Sequence, residues 1–229
     1  LWLADIQLVL WVAVIPAAIA VTLIVTGVKE PVHAPSEHKF RSPIHWRALL
    51  DFSSGYWWVV VIGGVFTLAR FSEAFLVLRA QQLGFSATWT PLVMVVMALF
   101  YTLSAYPAGW LSDRISRTKL LVVGMGLLIL ADLVLAQSSS AITMMLGVAL
   151  WGLHMGFSQG ILASLVADKA PGKLKGTAFG IFNLVSGVCM LIASVLAGWL
   201  WQSIGSDSTF VVGALLASTA LLLLLLKSQ

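Results

Sequence analysis

Seven long apolar runs separated by polar segments constrain the fold of this 229-residue chain more than any other feature. Each run is near the length of about 20 residues that an α-helix needs to cross a bilayer. The apolar residues are continuous and do not alternate with a period of two, which excludes membrane-spanning β-strands. The sequence therefore predicts an all-α, polytopic membrane protein. The predicted spans are residues 6–28, 57–78, 91–111, 120–136, 141–167, 177–201 and 210–226.

The composition supports the same fold class. Hydrophobic residues make up 60% of the chain and charged residues only 10%. Soluble domains carry about 25% charged residues, which keep their surface solvated. The single cysteine, Cys189, lies in an apolar run and is interpreted as a small buried hydrophobic residue. We predict no metal site, no cofactor and no nucleic-acid partner, and we interpret the net charge of +4 as loop anchoring in the membrane.

Basic residues are concentrated on one side of the predicted spans. The opposite side carries only Arg79, and Arg70 lies inside a span. The positive-inside rule therefore places the basic loops and the C-terminus in the cytoplasm and residue 1 outside. The basic residues of the cytoplasmic side are Lys29, Lys39, Arg41, Arg47, Arg114, Arg117, Lys119, Lys169, Lys173, Lys175 and Lys227.

Residues 29–56 form the one long connection and are predicted to be a cytoplasmic linker. Ser42 followed by Pro43 is a favourable helix start, so a short helix is expected to lie on the membrane surface. The apolar stripe of that helix would comprise Ile44, Leu49, Leu50 and Phe52. The histidines of the linker lack a metal-ligand spacing and are interpreted as solvated; they are His33, His38 and His45.

The most specific motif is Gly-Trp-Leu-Ser-Asp-Arg-Ile-Ser-Arg-Thr-Lys at residues 109–119, between the third and fourth spans. Gly109 allows close helix packing. Asp113 is an acid in a basic loop and needs a donor, such as the free N–H groups of a helix N-terminus. The basic side chains hold the loop at the cytoplasmic face. The alternative interpretation is an ordinary basic loop that only fixes topology.

This motif resembles the signature of the major facilitator superfamily, Gly-x-Leu-Ala-Asp-Arg-x-Gly-Arg-Arg/Lys, which follows the second helix of each six-helix half. Ser116 and Thr118 depart from the signature, and Lys119 supplies a basic residue one step later. The segment 167–180 is similar to the family's loop between helices ten and eleven. The matching residues are Gly109, Leu111, Asp113, Arg114 and Arg117.

The resemblance implies the C-terminal half of a transporter. Residues 1–28 would be helix six, residues 29–56 the central linker, and residues 57–229 the six-helix bundle of helices seven to twelve. The chain begins at Leu1 in an apolar segment that we do not interpret as a signal peptide, and we expect the N-terminal half to be missing. The implied function is alternating-access transport of a small solute in a bacterial plasma (inner) membrane. The sequence has no phosphate-binding loop for ATP, so an ion gradient, with protons as our prediction, or the substrate gradient would drive transport.

Arg70 and Glu73 are charged residues inside the second predicted span. Three residues apart on a helix, they would share a face and reach each other. A charge at this depth costs roughly 2.5–3.5 kcal/mol on insertion scales, so the pair is expected to face a polar cavity. Its predicted role is substrate or proton coupling. A structural ion pair, or an interfacial position at a misplaced span end, remains an alternative.

His154 and Gln159 in the fifth span are further candidates for substrate or proton coupling, although a lone intramembrane histidine is often a helix–helix hydrogen-bonding residue. Asp132 and Asp5 are interpreted as interfacial residues near the outer ends of their spans. Close helix packing is the main interpretation for glycines spaced four apart. These are Gly152, Gly156 and Gly160, followed by Gly176 and Gly180 at the start of the sixth span.

Other classes fit the residues less well. A retinal protein needs a lysine in the middle of its last span, and residues 210–226 contain none. A membrane enzyme is disfavoured because the sequence has no His-Glu-x-x-His motif, no Gly-x-Ser-x-Gly motif and no suitably placed aspartate pair. A half-size protein that dimerises, or a scaffold that does not transport, remains an alternative to the transporter half. The expected partners of the transporter half are a small-molecule substrate, the bilayer and the missing half.

Overall fold

The structure, a computed structural model, describes residues 2–27 and 46–227, and all regular secondary structure in these residues is helical. Seven segments are long and apolar enough to cross a membrane, which confirms an all-α, polytopic membrane protein. Short 3₁₀ segments, Trp46–Asp51 and Gly172–Leu174, precede two of the helices. The α-helices are α1 (Trp2–Gly27), α2 (Ser54–Ala69), α3 (Ala74–Gln82), α4 (Pro91–Ser112), α5 (Arg117–Ala136), α6 (Ala141–Lys169), α7 (Lys175–Ser203) and α8 (Ser206–Lys227).

The chain divides into two compact units, residues 1–42 and 43–229. In the first unit, α1 is a 26-residue helix that contains Pro16. The hydroxyls of Thr22 and Thr26 each donate to the carbonyl oxygen four residues earlier, at 2.7 Å, so neither polar group is left unsatisfied. The predicted helix start at Ser42 and Pro43 lies outside the described residues, as do the three linker histidines.

Polar caps explain where several helices begin. Ser53 caps α2 by accepting from the Tyr56 N–H, and Ser116 caps α5 by accepting from the Lys119 N–H. Ser140 forms a capping box with Thr143 at the start of α6. These caps satisfy backbone donors that the first turn of a helix leaves free. The capped helices α2 and α5 begin three residues before their predicted spans, and α6 begins at the predicted residue.

Helix α6 lies in the middle of the second unit and packs against both α4 and α5. A Cβ atom added to Gly152 would overlap the Met97 carbonyl oxygen of α4, and one added to Gly156 would overlap the Ser104 side chain. The small residues thus bring the two backbones together. The other predicted packing glycines do not contact a neighbouring helix in the described residues. A Cβ added to Gly160, Gly176 or Gly180 would meet open space.

Helices α7 and α8 complete the unit by packing against α2, and α8 also packs against α5. The Phe182 ring of α7 lies directly over Gly63 of α2, where an added Cβ would be 2.5 Å from the ring. The Tyr56 hydroxyl of α2 donates to the Ala178 carbonyl of α7 at 2.9 Å. The α2–α7 contact is therefore fixed at two places, by ring packing at Gly63 and by a hydrogen bond near the start of both helices.

The second predicted span is interrupted, so the expectation of one continuous helix was wrong. Helix α2 ends at Ala69 and α3 begins at Ala74. Arg70 leaves the helical region at φ −103° and ψ 84°, and the Ser72 hydroxyl accepts from the Ala74 N–H at 3.3 Å. Such local side-chain bonds offer the backbone an alternative to the helix. Irregular backbone inside a membrane protein is tolerated where protein buries it or where it lines a cavity.

Candidate functional site at the interrupted helix

Arg70 lies in the interruption between α2 and α3. Its Nε atom is inaccessible to solvent and has no hydrogen-bond partner among the described residues. The guanidinium lies over the Phe66 ring, with Cζ 5.9 Å from the ring centroid, which is a cation–π distance. The described contact that offsets the burial of the guanidinium is therefore the Phe66 ring face.

The predicted Arg70–Glu73 ion pair on one helical face does not form. The described residues contain two ion pairs, Arg79–Asp207 and Arg117–Asp168, and neither includes Glu73. Glu73 is instead the residue that precedes the first turn of α3. The physical reason is the interruption itself, because the three-residue spacing brings two side chains together only on a continuous helix.

Arg70 lines a cavity of about 390 Å³ between α2, α6 and α7. The predicted site residue Gln159 lines the same cavity, so the structure brings two of the four coupling candidates together. The polar residues Asn183 and Ser186 of α7 also line it, and sequence reasoning missed them. They are three residues apart in an apolar helix and so share a face, which is the signal that could have identified them.

His154 lies behind the cavity wall and is not among the lining residues. Its side chain is fully buried, and neither ring nitrogen has a hydrogen-bond partner among the described residues. The imidazole meets the Phe66 ring at a centroid distance of 6.2 Å and the Trp151 ring at 5.4 Å, both edge to face. Arg70 is close enough to act on it electrostatically. Phe66 therefore contacts both the Arg70 guanidinium and the His154 imidazole.

Asp132 is fully buried, so its predicted interfacial position was wrong. Neither carboxyl oxygen has a hydrogen-bond partner within the described part of the chain. The carboxyl group lies against Gly213 of α8 and near Phe71 in the interruption. The sequence interpretation relied on its position near the end of the span. Asp132 lies on the same face of α5 as the buried residues Leu128, Ala131 and Leu135, and this face points into the bundle.

Arg79 of α3 is a functional candidate that sequence reasoning treated only as an exception to the charge asymmetry. It donates from Nε to the Ser138 hydroxyl at 3.1 Å and from Nη1 to the Ser206 hydroxyl at 2.7 Å. Its Nη2 atom donates to the Ser138 carbonyl at 2.9 Å and to Asp207 Oδ1 at 2.8 Å. This network joins α3 to the α5–α6 loop and to the start of α8. A lone arginine on a side poor in cations was the available signal.

The basic motif at residues 109–119 is only partly packed in the described unit. Arg114 stacks on the Trp110 ring with its Cζ 3.8 Å from the centroid. Arg117 pairs with Asp168 of α6 and donates to the Ser164 carbonyl at 3.4 Å. Leu111 is partly buried in the main core, whereas Asp113 and Lys119 are exposed and Gly109 has no neighbour within 4 Å of an added Cβ. Within the described unit, the motif therefore ties α5 to α6 mainly through Arg117.

The described residues offer no centre for metal chemistry: they contain no group of three His, Cys, Asp or Glu side chains that could hold an ion. The fold and the site define a polytopic helical membrane protein with a largely apolar cavity, lined by one arginine, beside an interrupted span. The family model for the Major Facilitator Superfamily matches residues 1–186 and 73–229. The chain belongs to this superfamily.

Curated relatives agree with this membership. The chain is 33% identical over 172 residues to an uncharacterized MFS-type transporter of Methanocaldococcus jannaschii, over 72% of this chain and 43% of the relative. It is 25% identical over 174 residues to an uncharacterized MFS-type transporter of Mycobacterium tuberculosis, over 76% of this chain and 28% of the relative. It is 30% identical over 96 residues to a facilitated glucose transporter of Gallus gallus, over 41% of this chain and 18% of the relative. The chain thus spans less than half the length of each.

Proposed function

We propose that this chain forms the C-terminal half of a secondary transporter that moves a small solute across a membrane by alternating access. The observation that carries the proposal is the interrupted span, whose charged residue Arg70 lines a cavity between α2, α6 and α7 together with the polar side chains of Gln159 and Asn183. Interrupted helices near the middle of the membrane commonly form the substrate and ion sites of secondary transporters. Membership of the superfamily supports the same function.

The proposed register assigns α1 to helix six of the family and residues 29–56 to the central linker. Helices α2 and α3 together would be helix seven, and α4 to α8 would be helices eight to twelve. The support is the basic motif, which lies between α4 and α5 as the family signature lies after the second helix of a half. An N-terminal half would supply the opposite cavity wall, and the bilayer would cover the apolar outer faces.

The proposed orientation places the basic loops and the C-terminus in the cytoplasm and the Arg79 network on the outer side. The support is the distribution of lysine and arginine residues, which are concentrated in alternate loops. The proposed location is a prokaryotic plasma membrane, in keeping with the archaeal and mycobacterial relatives. An accessibility test with a cysteine at position 173 and a membrane-impermeant thiol reagent, in a Cys189→Ala background, would check the orientation.

Proton coupling is the proposed energy source, with Glu73 and His154 as the coupling candidates. Glu73 begins the outer half of the interrupted helix, and His154 shares the Phe66 contact with Arg70. Movement at the interruption would therefore change the surroundings of both groups. Sequestering a titratable group in one state and exposing it in the other is how a proton gradient can be linked to a rocking bundle.

The experiment that tests the proposal uses the complete protein in sealed vesicles. A panel of labelled carboxylates, sugars, amino acids and cationic drugs is offered with and without an imposed pH gradient. We expect one class to accumulate against its gradient, with matching proton movement reported by a pH-sensitive dye trapped inside. Downhill transport without proton movement would overturn the coupling. Transport of no solute would overturn the proposed function.

A further inference from the structure

The charge balance of the cavity indicates what it binds. Among the residues that the structure describes around it, Arg70 is the only charged one, and no carboxylate is paired with it. Uncompensated charge inside a membrane protein is costly, and it normally marks a substrate or ion pathway. The Phe66 contact lowers this cost, but an aromatic face is a weaker partner than an anion. A negative group bound in the cavity would balance the charge of Arg70.

The available atoms of Arg70 fit a carboxylate. Its Nε is buried and has no hydrogen-bond partner in the described chain. A guanidinium binds a carboxylate through two parallel N–H groups, and this fork is shorter and stronger than neutral hydrogen bonds. The amides of Gln159 and Asn183 line the same cavity and can donate to a bound oxygen.

The remaining lining residues restrict the chemistry of the ligand, and the part of the cavity that this chain forms accommodates a small one. Phe179, Phe182 and Met190 give the cavity an apolar side. Its volume of about 390 Å³ is near the lower end of ligand sites, which are typically about 300–1,000 Å³. A sugar would offer hydroxyls to the amides but would leave Arg70 without a counter-charge. A small carboxylate with an apolar body would satisfy both sides.

We infer that this cavity binds a small organic monocarboxylate, with the carboxylate held by Arg70 and the apolar body packed against Phe179 and Phe182. The inference rests on the proposed transport function and names the substrate class of the same site. It predicts that the cavity binds a carboxylate more tightly than the amide of the same shape. Replacing the carboxylate by an amide keeps the size of the ligand and removes the ionic hydrogen bonds.

The test measures ligand binding by thermal stabilisation of the complete protein in detergent, with benzoate against benzamide and butyrate against butyramide. We expect the carboxylates to bind at least about ten-fold more tightly than their amides. Arg70→Gln should remove this preference, and Arg70→Lys should retain part of it because it keeps the charge but not the fork. Lys173→Gln, which removes an exposed loop cation, is the matched control and should bind as wild type.

A second variant covers the case in which Arg70→Gln does not fold. Asn183 is exposed in the described unit, so Asn183→Ala should leave the unliganded melting temperature unchanged and weaken benzoate binding several-fold. Equal binding of benzoate and benzamide, tighter binding of glucose, or no carboxylate binding would each overturn the inference. Transport of neutral or cationic solutes alone would overturn it while leaving the transporter proposal intact. Carboxylate binding without transport of any solute would overturn the transporter proposal and leave the binding inference intact.

Discussion

The Nη2 atom of Arg79 lies 2.8 Å from Oδ1 of Asp207, so α3, the second half of the interrupted helix, is joined to the first turn of α8. The two partners are not equivalent. The Arg79 side chain is only 10% exposed and also bonds Ser138 and Ser206, whereas the Asp207 side chain is 66% exposed. The hydrogen bonds of the buried guanidinium should therefore stabilise this end of the bundle more than the ion pair does.

The first prediction compares the two partners. Asp207→Asn should lower the free energy of unfolding by less than about 1 kcal/mol, because exposed ion pairs contribute little. Arg79→Gln should lower it by about 3 kcal/mol, because the Ser138 carbonyl and two hydroxyls lose a charged donor. Unfolding of the two variants in the same detergent measures the difference. Equal melting temperatures for the two variants would contradict this account of the network.

The second prediction concerns Gly213, where α8 meets the buried carboxyl group of α5. An added Cβ would lie 2.7 Å from Asp132 Oδ2 and 3.1 Å from Phe71 Cε1. Gly213→Ala should therefore destabilise the protein by about 1–3 kcal/mol through overpacking. Gly187→Ala is the matched control, because its added Cβ meets open space and alanine favours the helix.

A double-mutant cycle distinguishes the contact with Asp132 from a general effect on α8. In the Asp132→Ala background the space next to position 213 is vacant, so Gly213→Ala should cost less than half of its effect in the wild type. The measurement is the urea midpoint of the four proteins. An undiminished effect in that background would show that Phe71, and not Asp132, sets the contact.

The helix positions could be predicted because hydrophobic length and polar caps are local features of the chain. The span from Ala141 to Lys169, for example, begins at a Ser-x-x-Thr capping box and was predicted to start at the same residue. The interruption at residues 70–73 could not be predicted, because Arg-Phe-Ser-Glu contains neither proline nor glycine and interrupts the apolar run only with two charged residues and one serine.

The site was predicted less completely than the fold, because most of its contacts are not local features of the chain. Arg70 and Gln159 were identified as residues that a membrane span rarely contains, which needs no knowledge of their neighbours. Arg79 contacts Ser138 and Ser206, which are 59 and 127 residues away in the sequence. Such contacts depend on how the helices pack, and neither charge asymmetry nor helical spacing specifies them. Asp132 was misplaced because depth was considered without the direction in which its helix face points.

The third prediction tests the close approach of α4 and α6. Gly152→Ala should separate the helices and lower stability by about 1–3 kcal/mol, because the added methyl group would meet the Met97 backbone and not a movable side chain. Gly160→Ala, two turns further along the same helix, meets open space and should be neutral or stabilising by up to about 1 kcal/mol. Thermal unfolding of both variants gives the comparison. A destabilised Gly160→Ala together with a neutral Gly152→Ala would contradict the observed packing.

The last prediction concerns Glu73, whose carboxylate is not paired with Arg70 in the structure. If Glu73 carries the coupled proton, Glu73→Gln should abolish solute accumulation by the complete protein in vesicles under an imposed pH gradient. The amount of protein in the membrane should stay unchanged, because the residue forms no ion pair within the described bundle that the substitution would break. Glu73→Asp keeps the titratable group and should retain measurable accumulation. Lys173→Gln serves as the control for a change of loop charge, and accumulation by Glu73→Gln at the wild-type rate would exclude Glu73 from proton coupling.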